Sequence, residues 1–325
     1  MSFLLYFIIA FVLTLFFIYF FKFKFIDNKN YSKLHFKRLG GLIIALVFLL
    51  LLSFSYFLGN EFQILAKDFW SILGVAVLII VFGLLDDKYR LSPFLQLLVH
   101  ILIVLVFLFA GDFINHVHLP FFGLLVFPTS LKYLITFVWI LVIINAFNWF
   151  DGMDGLAGGV GFITFLTLFF LSLSSIVNQP NTAFISIILS GAVLGFLYFN
   201  FYPAKVYLGS VGSWLIGSMI ALLSIYSGGK VATAALVLGI PILDFMYVAY
   251  IRTANGKKPW QGEDRLHLHF KLEDAGFSRN RIILLMYCLS ISLGFLALTF
   301  QTNLKIFGLF ILAMIFIWLT LKYRL

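Results

Sequence analysis

The chain has 325 residues, 63% of them hydrophobic and only 11% charged, where a soluble domain carries about 25% charged residues. That excludes an ordinary soluble enzyme and points to a polytopic membrane protein. A net charge of +9 would suit a nucleic-acid binder, but in so apolar a chain it reflects cytoplasmic loops and anionic lipid headgroups; the single cysteine, Cys288, excludes an intramolecular disulfide and argues against a thiolate metal site.

Apolar runs long enough to span a bilayer, or nearly so, fall at 3–21, 40–58, 70–85, 93–110, 131–147, 157–176, 183–199, 211–227, 231–251, 281–300 and 304–321. The pattern predicts an all-α fold of eleven membrane helices in a single domain, 1–325. The first run has no basic segment before it, so it reads as an uncleaved span. The third is short, and the ninth carries Pro241 and Asp244; an even count follows if one of them is re-entrant. Eighteen of the 22 Lys and Arg residues fall on alternate loops. The positive-inside rule then puts the N-terminus outside and the C-terminus in the cytoplasm. Most of the Asp and Glu fall on the same cytoplasmic face, which therefore looks like a reaction surface.

Five polar stations lie on that face. The first, KLHFKRLGG, holds Lys33, Lys37 and Arg38, which can meet phosphate oxygens, although positive-inside anchoring explains them equally. The second, LLDDKYRLSP, ends a span with Asp86 and Asp87. Adjacent carboxylates there are costly unless a cation, a metal or protonation relieves them, and Lys88 and Arg90 are near enough to pair. The third, NAFNWFDGMDGLAGG, interrupts two long apolar runs. Asn145, Asn148 and Asp151 recur every third residue and so share one helix face, with Asp154 next in the series. Two carboxylates would each cost roughly 2.5–3.5 kcal/mol at the bilayer centre. A polar mouth at the membrane face, where hard oxygens can hold Mg²⁺, suits them better. In the fourth, YFNFYPAKVYLGSVGS, Asn200 is a neutral donor and acceptor and Lys205 a phosphate candidate. Gly209, Gly212 and Ser213 form a small-residue turn whose amides could face a diphosphate. A close helix contact is the rival explanation. The fifth, KKPWQGEDRLHLHFKL, sets His267 and His269 one residue apart, downstream of Arg265. No third protein ligand completes a zinc site, so a pyrophosphate or nucleotide is the better match.

Together these stretches resemble the polyprenyl-phosphate N-acetylhexosamine-1-phosphate transferase family over about residues 25–285, through HFKRLGG, LDDK, NxxNxxDGxDGLA, FNFYPAKVYLG and RxHxH. That family includes the phospho-N-acetylmuramoyl-pentapeptide transferase and the initiators of O-antigen and teichoic acid synthesis, and the tail RLHLHFKLEDAGFS is closer to the initiators. The resemblance implies ten or eleven helices with a cytoplasmic active site. It implies Asp86 and Asp87 for handling the lipid phosphate, Asn148 as a Mg²⁺ ligand and Asp151 at the nucleotide end of the cleft. Asn200 and Tyr207 would lie beside the uridine or diphosphate, and His267 and His269 would hold the donor diphosphate. Two departures stand out. The family usually reads G-D-x-G-S at the fourth station, its Asp a metal ligand, where this chain has Ser210; and Gln96 stands where relatives often carry a cation. Phe270 also replaces a common His.

The reading is an integral membrane enzyme of the bacterial inner membrane. It would pass a HexNAc-1-phosphate from a UDP-sugar to undecaprenyl phosphate and release UMP, starting a cell-surface glycan. Asp86, Asp87 and Asp151 are the catalytic candidates. Lys33, Arg38, Arg90, Asn145, Asp154, Asn200, Tyr207, Arg265, His267 and His269 are the substrate-binding ones, and Asn148, Asp151 and Ser210 the metal ligands, for Mg²⁺ with Mn²⁺ as an alternative. The partners are UDP-N-acetylhexosamine, undecaprenyl phosphate and membrane lipids, with no nucleic acid and a homodimer left open. The rivals are a non-catalytic relative, motivated by Ser210, and a transporter, motivated by Asp244 and the broken ninth helix.

Overall fold

A computed structural model describes residues 3–21, 37–59, 62, 64–119, 123–175, 177–227, 231–260, 265–300 and 302–322. With no water in the bilayer core, backbone polar groups must pair within their own segment, so each apolar run closes into a helix. The helices are α1 (Phe3–Phe21), α2 (Gly40–Leu58), α3 (Ala66–Tyr89), α4 (Pro93–Phe109), α5 (Thr129–Phe150), α6 (Leu156–Leu173), α7 (Pro180–Asn200) and α8 (Gly209–Tyr226). Then follow α9 (Val231–Val237), α10 (Gly239–Ala254), α11 (Leu268–Asp274), α12 (Arg279–Thr299) and α13 (Thr302–Lys322).

All eleven apolar runs are helical, but they are not equal. Among the described residues eight helices are long and apolar enough to cross a membrane, or nine if α9 and α10, bent by 77°, count as one span. The helix α4 and the Phe307–Thr320 part of α13 are shorter. The third run is not short: α3 has 24 residues and carries Asp86 and Asp87 inside its last turn. The sequence also hid a small antiparallel hairpin. Its strands β1 (His116–Leu119) and β2 (Gly123–Val126) pair His116 with Val126 and Leu119 with Gly123.

The helices α7 and α8 form the centre of the bundle, with 89% and 83% of their apolar windows buried. The helix α1 lies along α7, where the Tyr6 ring meets the edge of Phe184 at 4.7 Å. The N-terminal end of α8 is gripped by two neighbours. Gly40 and Gly41 open α2, and their N–H groups donate to the carbonyls of Tyr207 (3.2 Å) and Leu208 (2.9 Å). A Cβ on Gly41 would stand 2.1 Å from the backbone nitrogen of Gly212. The close-contact explanation for the glycines of the fourth station therefore holds for Gly212, and the contact brings α8 against the acid-bearing end of α3.

Gly41→Ala should accordingly force α2 and α8 apart and destabilise the fold by about 1–3 kcal/mol. Gly74→Ala, whose new Cβ would meet only Val106 at 3.9 Å, should be neutral or mildly stabilising. Thermal unfolding of both variants in detergent checks the pair.

Candidate active site

The stations converge. Arg38, Asp87, Arg90, Asn148, Asp151, Asp154, Asn200, Tyr207, Ser210 and Ser213 line one cleft of about 500 Å³. A second of about 600 Å³ shares Arg38, Arg90 and Asn148 and adds Asp86, Gln96, Trp149, Arg252 and His267. Lys33 lies outside the described residues.

The acid pair is held by a tight turn. Arg90 adopts a left-handed conformation (φ 53°) that ends α3. Ser92 caps α4, its hydroxyl accepting from the Leu95 N–H, with Pro93 in the first turn. The chain folds back so that Leu91 N–H donates to Asp86 Oδ1 at 3.0 Å. Gln96 Nε2 donates to the same oxygen at 2.9 Å. On the other side stands Ser210. Its hydroxyl donates to Asp86 Oδ2 at 2.5 Å, and its backbone N–H, in the first turn of α8, donates to Asp87 Oδ1 at 3.1 Å. A carboxylate at a helix N-terminus is favoured by the dipole and by the free amides. Arg38 Nη1 adds a contact to Asp87 Oδ1 at 3.4 Å. The hydroxyl expected to face a metal is thus engaged with the carboxylate pair.

The central stretch is a turn between two spans. The helix α5 ends at Phe150, and Gly155 (φ 77°) starts α6 in a conformation that favours glycine. Asn148 therefore sits in the last helical turn, while Asp151 lies just beyond it. Asp154 Oδ2 accepts from the Ala204 N–H at 3.0 Å. Asn200 is buried and committed to backbone: Oδ1 accepts from the Gly155 N–H at 2.8 Å and Nδ2 donates to the Val206 carbonyl at 2.9 Å. It ties the third station to the fourth. On the far side of the Gly155 Cα, the Gly155 carbonyl accepts from Tyr287 Oη on α12 at 2.5 Å, a residue with no sequence signal at all. Burial pushes the Asp151 carboxyl up to about 7; the nearby Asp87 charge adds to this and Arg38 opposes it. A cation in the cleft would favour its ionised form.

The two histidines separate. His267 lines the second cleft, and its Nδ1 lies 2.6 Å from Asp244 Oδ2. Asp244 Oδ1 also accepts from the Leu268 N–H at 2.7 Å. The lone acid in the ninth run is therefore the support of the H-x-H loop. His269 is fully buried, both ring nitrogens unpaired, and lines neither cleft. It packs beneath Gly152, where a Cβ would stand 2.3 Å from its Nε2, and burial pushes it down to about 4. Its position fits a support of the acidic turn rather than a diphosphate ligand. Arg265 is also away from the clefts, exposed and paired with Asp274 (2.6 Å) and Glu273 (2.8 Å). Asn145 lines neither of the two clefts but a smaller hollow beside the second; its Oδ1 lies 3.2 Å from His100 Nδ1 and its Nδ2 donates to the Leu141 carbonyl at 2.7 Å. Arg252, which the sequence left among the anchoring cations, instead stacks over Trp149 at 4.6 Å beside His267.

Among the described residues no group of three or more His, Cys, Asp or Glu side chains stands ready to hold a metal. The cleft offers a different donor set. Asp87 Oδ2 is buried without a hydrogen-bond partner, and it shares the cleft with Asn148 and Asp151. These are hard oxygens. Mg²⁺ is usually held by one or two carboxylates, the rest of its shell coming from water and substrate phosphates. The residues fit that ion and lack the sulfur and imidazole ligands that zinc prefers.

A family model described as glycosyl transferase family 4 matches residues 69–228. The chain is 28% identical over 309 residues to the probable undecaprenyl-phosphate N-acetylglucosaminyl 1-phosphate transferase of Bacillus subtilis, covering 90% of this chain and 82% of the relative. It is 29% identical over 321 residues to the undecaprenyl-phosphate alpha-N-acetylglucosaminyl 1-phosphate transferase of Haemophilus influenzae, covering 90% and 85%. A shorter match, 35% over 122 residues, joins it to the decaprenyl-phosphate N-acetylglucosaminephosphotransferase of Mycolicibacterium smegmatis, covering 32% and 30%.

Proposed function

Since the chain belongs to glycosyl transferase family 4, as a polyprenyl-phosphate HexNAc-1-phosphate transferase, we propose that its two joined clefts are where a UDP-N-acetylhexosamine meets undecaprenyl phosphate. The enzyme is a multi-pass membrane phosphoglycosyltransferase that passes a HexNAc-1-phosphate to a polyprenyl phosphate. The observation that carries the site is the meeting of Asp86, Asp87, Asn148 and Asp151 with Arg38, Arg90, Arg252 and His267 around adjoining clefts. UDP-N-acetylglucosamine is the favoured donor, because the relatives are named for N-acetylglucosaminyl 1-phosphate transfer.

The lipid phosphate attacks the sugar-linked phosphorus of the donor. The new P–O bond forms as the bond to the UMP oxygen breaks, and UMP leaves. A phosphate monoester has a second pKa near 6, so the acceptor is mostly dianionic at neutral pH and hardly needs a strong base. Asp86 then positions the acceptor phosphate or takes its residual proton, with Asp87 as its support. Arg38 and Arg90 line both clefts and balance the phosphate charge. Asp87, Asn148 and Asp151 would hold Mg²⁺, which when bound offsets the charge of the donor diphosphate. A smaller apolar hollow of about 140 Å³ shares Gln96, Trp149 and Trp260 with the second cleft, and Leu97, Leu141 and Phe245 also line it. It suits the first prenyl units of the acceptor.

The same reading places all eleven runs across a bacterial inner membrane, with the N-terminus outside and the clefts in the cytoplasm, as the cation asymmetry requires. A homodimer is compatible with it. A transporter is not favoured, because the anchoring of the His267 loop accounts for Asp244.

Purified protein should release UMP from UDP-N-acetylglucosamine only when undecaprenyl phosphate and Mg²⁺ are both present. Asn148→Ala should abolish that turnover with little change in melting temperature, and EDTA should stop the parent. Full activity of Asn148→Ala with an unchanged Mg²⁺ requirement would remove Asn148 from the metal site. For the orientation, Ser278→Cys on a Cys288→Ser background should resist an impermeant thiol reagent in intact cells and react in inverted vesicles. Labelling in intact cells contradicts the orientation.

A further inference from the structure

Two uncharged side chains, Gln96 and Ser210, meet at one carboxylate. Gln96 Nε2 donates to Asp86 Oδ1 at 2.9 Å and Ser210 Oγ to Asp86 Oδ2 at 2.5 Å. Gln96 reaches further. Its Oε1 accepts from Asn148 Nδ2 at 3.3 Å, and Asn148 Oδ1 lies 3.4 Å from Ser213 Oγ, which lies 3.4 Å from the Ser210 carbonyl. The contacts run in a ring through α3, α4, α5 and α8, in which the one Ser213 hydroxyl proton serves either Asn148 or the Ser210 carbonyl and the α8 backbone completes the circuit, and they fix the Gln96 amide with its nitrogen toward Asp86. Neither Gln96 nor Ser210 carries a charge.

We propose that Gln96 and Ser210 are one coupled unit, a neutral clamp that orients Asp86 for the lipid phosphate and ties it to Asn148. Both are positioning residues. The proposal rests on the transferase reading for its activity arm. One observation on the ring supports it, with what it implies for a charge at either position. Asp86 is buried with Asp87 beside it, so an acid at 210 would set a third carboxylate against two already in contact with that side chain. A cation at 96 would face Asp86 alone, with its other side against the Asn148 amide donor. An acid at 210 and a cation at 96 would each meet the other's charge across Asp86, restoring the balance that the neutral pair has now. Ser210 is therefore not a gap left by a missing ligand; its side chain is matched to Gln96.

The test is a double-mutant cycle of Gln96→Lys and Ser210→Asp, with Ser210→Ala and Ser210→Thr as companions, read in two ways. In the first, kcat and the KM for UDP-N-acetylglucosamine are measured from UMP release at saturating undecaprenyl phosphate and Mg²⁺. Each single variant should lose about tenfold or more in kcat with little change in donor KM, and the double variant should recover most of the loss. Ser210→Thr, which keeps the donor, should stay near the parent, and Ser210→Ala should not. In the second, melting temperatures are taken without substrate or metal, where the ring already exists. The double variant should melt closer to the parent than the sum of the single shifts allows. Losses that multiply in kcat and add in melting temperature would overturn the proposal, as would a Ser210→Asp protein faster than the parent. If the parent itself releases no UMP, the transferase reading fails on its own, and the melting cycle still decides whether the two residues are coupled.

Discussion

The structure depends on how the first turn of α8 receives the carboxylates that end α3. Two acids at the end of a membrane helix cannot stand unpaired. Ser210 answers both, with its amide to Asp87 and its hydroxyl to Asp86. The approach is possible because other contacts fix α8 in place. Gly41 lets α2 touch the backbone of Gly212, and Gly83 of α3 would place a Cβ 2.8 Å from Val211. The cleft is thus a consequence of packing between α2, α3 and α8, and Asp86, Asp87, Asn148 and Ser210 sit on helix ends, with Asp151 and Asp154 in the short turn between α5 and α6. Sites built this way hold their geometry more closely than sites on loops do.

The remaining side chains extend that arrangement outward. Asn200 and Tyr287 hold the two peptide groups that flank Gly155, so the turn that carries Asp151 and Asp154 is fixed where it enters α6. Asp244 fixes the His267 loop from below. What is left facing the clefts is the part with charge of both signs: Asp87, Asp151 and Asp154 in the first, Asp86 and Arg252 in the second, with Arg38 and Arg90 shared by both. The Asp151 carboxyl is raised to about 7, chiefly by burial and further by the Asp87 charge, and groups perturbed in this way gather at functional sites.

Much of this was legible in the chain. Hydropathy located the long helices, because a bilayer leaves the backbone no alternative to a helix; it gave no sign of the short α11, which carries His269. The stations themselves were visible as polar residues out of place, and Asp86, Asp87, Asn148 and Asp151 do share the clefts. Two candidates stand where spacing does not put them: His269 lines neither cleft, and Asn145 lines only the small apolar hollow, its polar atoms engaged with His100 and the Leu141 carbonyl. Asn200 does line the first cleft while its amide is bonded to backbone; sequence does not say which way a side chain turns. Spacing alone made His267 and His269 equivalent, yet one lines a cleft and the other lies beneath Gly152. Asp244 drew attention as an acid in a span, but its partner is 23 residues away in sequence. Tyr287, in an apolar run, gave no sign at all. The span count was blurred for another reason: α4 and the end of α13 are apolar but short, and the ninth run breaks at Leu238.

The central claim is that the turn after α5 and the start of α8 form one binding site for donor and metal. Hydrogen–deuterium exchange read by mass spectrometry tests it without turnover. In detergent and without acceptor, UDP-N-acetylglucosamine with Mg²⁺ should slow exchange together in peptides covering residues 148–156 and 205–213, with much weaker protection when Mg²⁺ is omitted. Protection of only one of the two, or equal protection with and without Mg²⁺, would contradict a shared metal-dependent site.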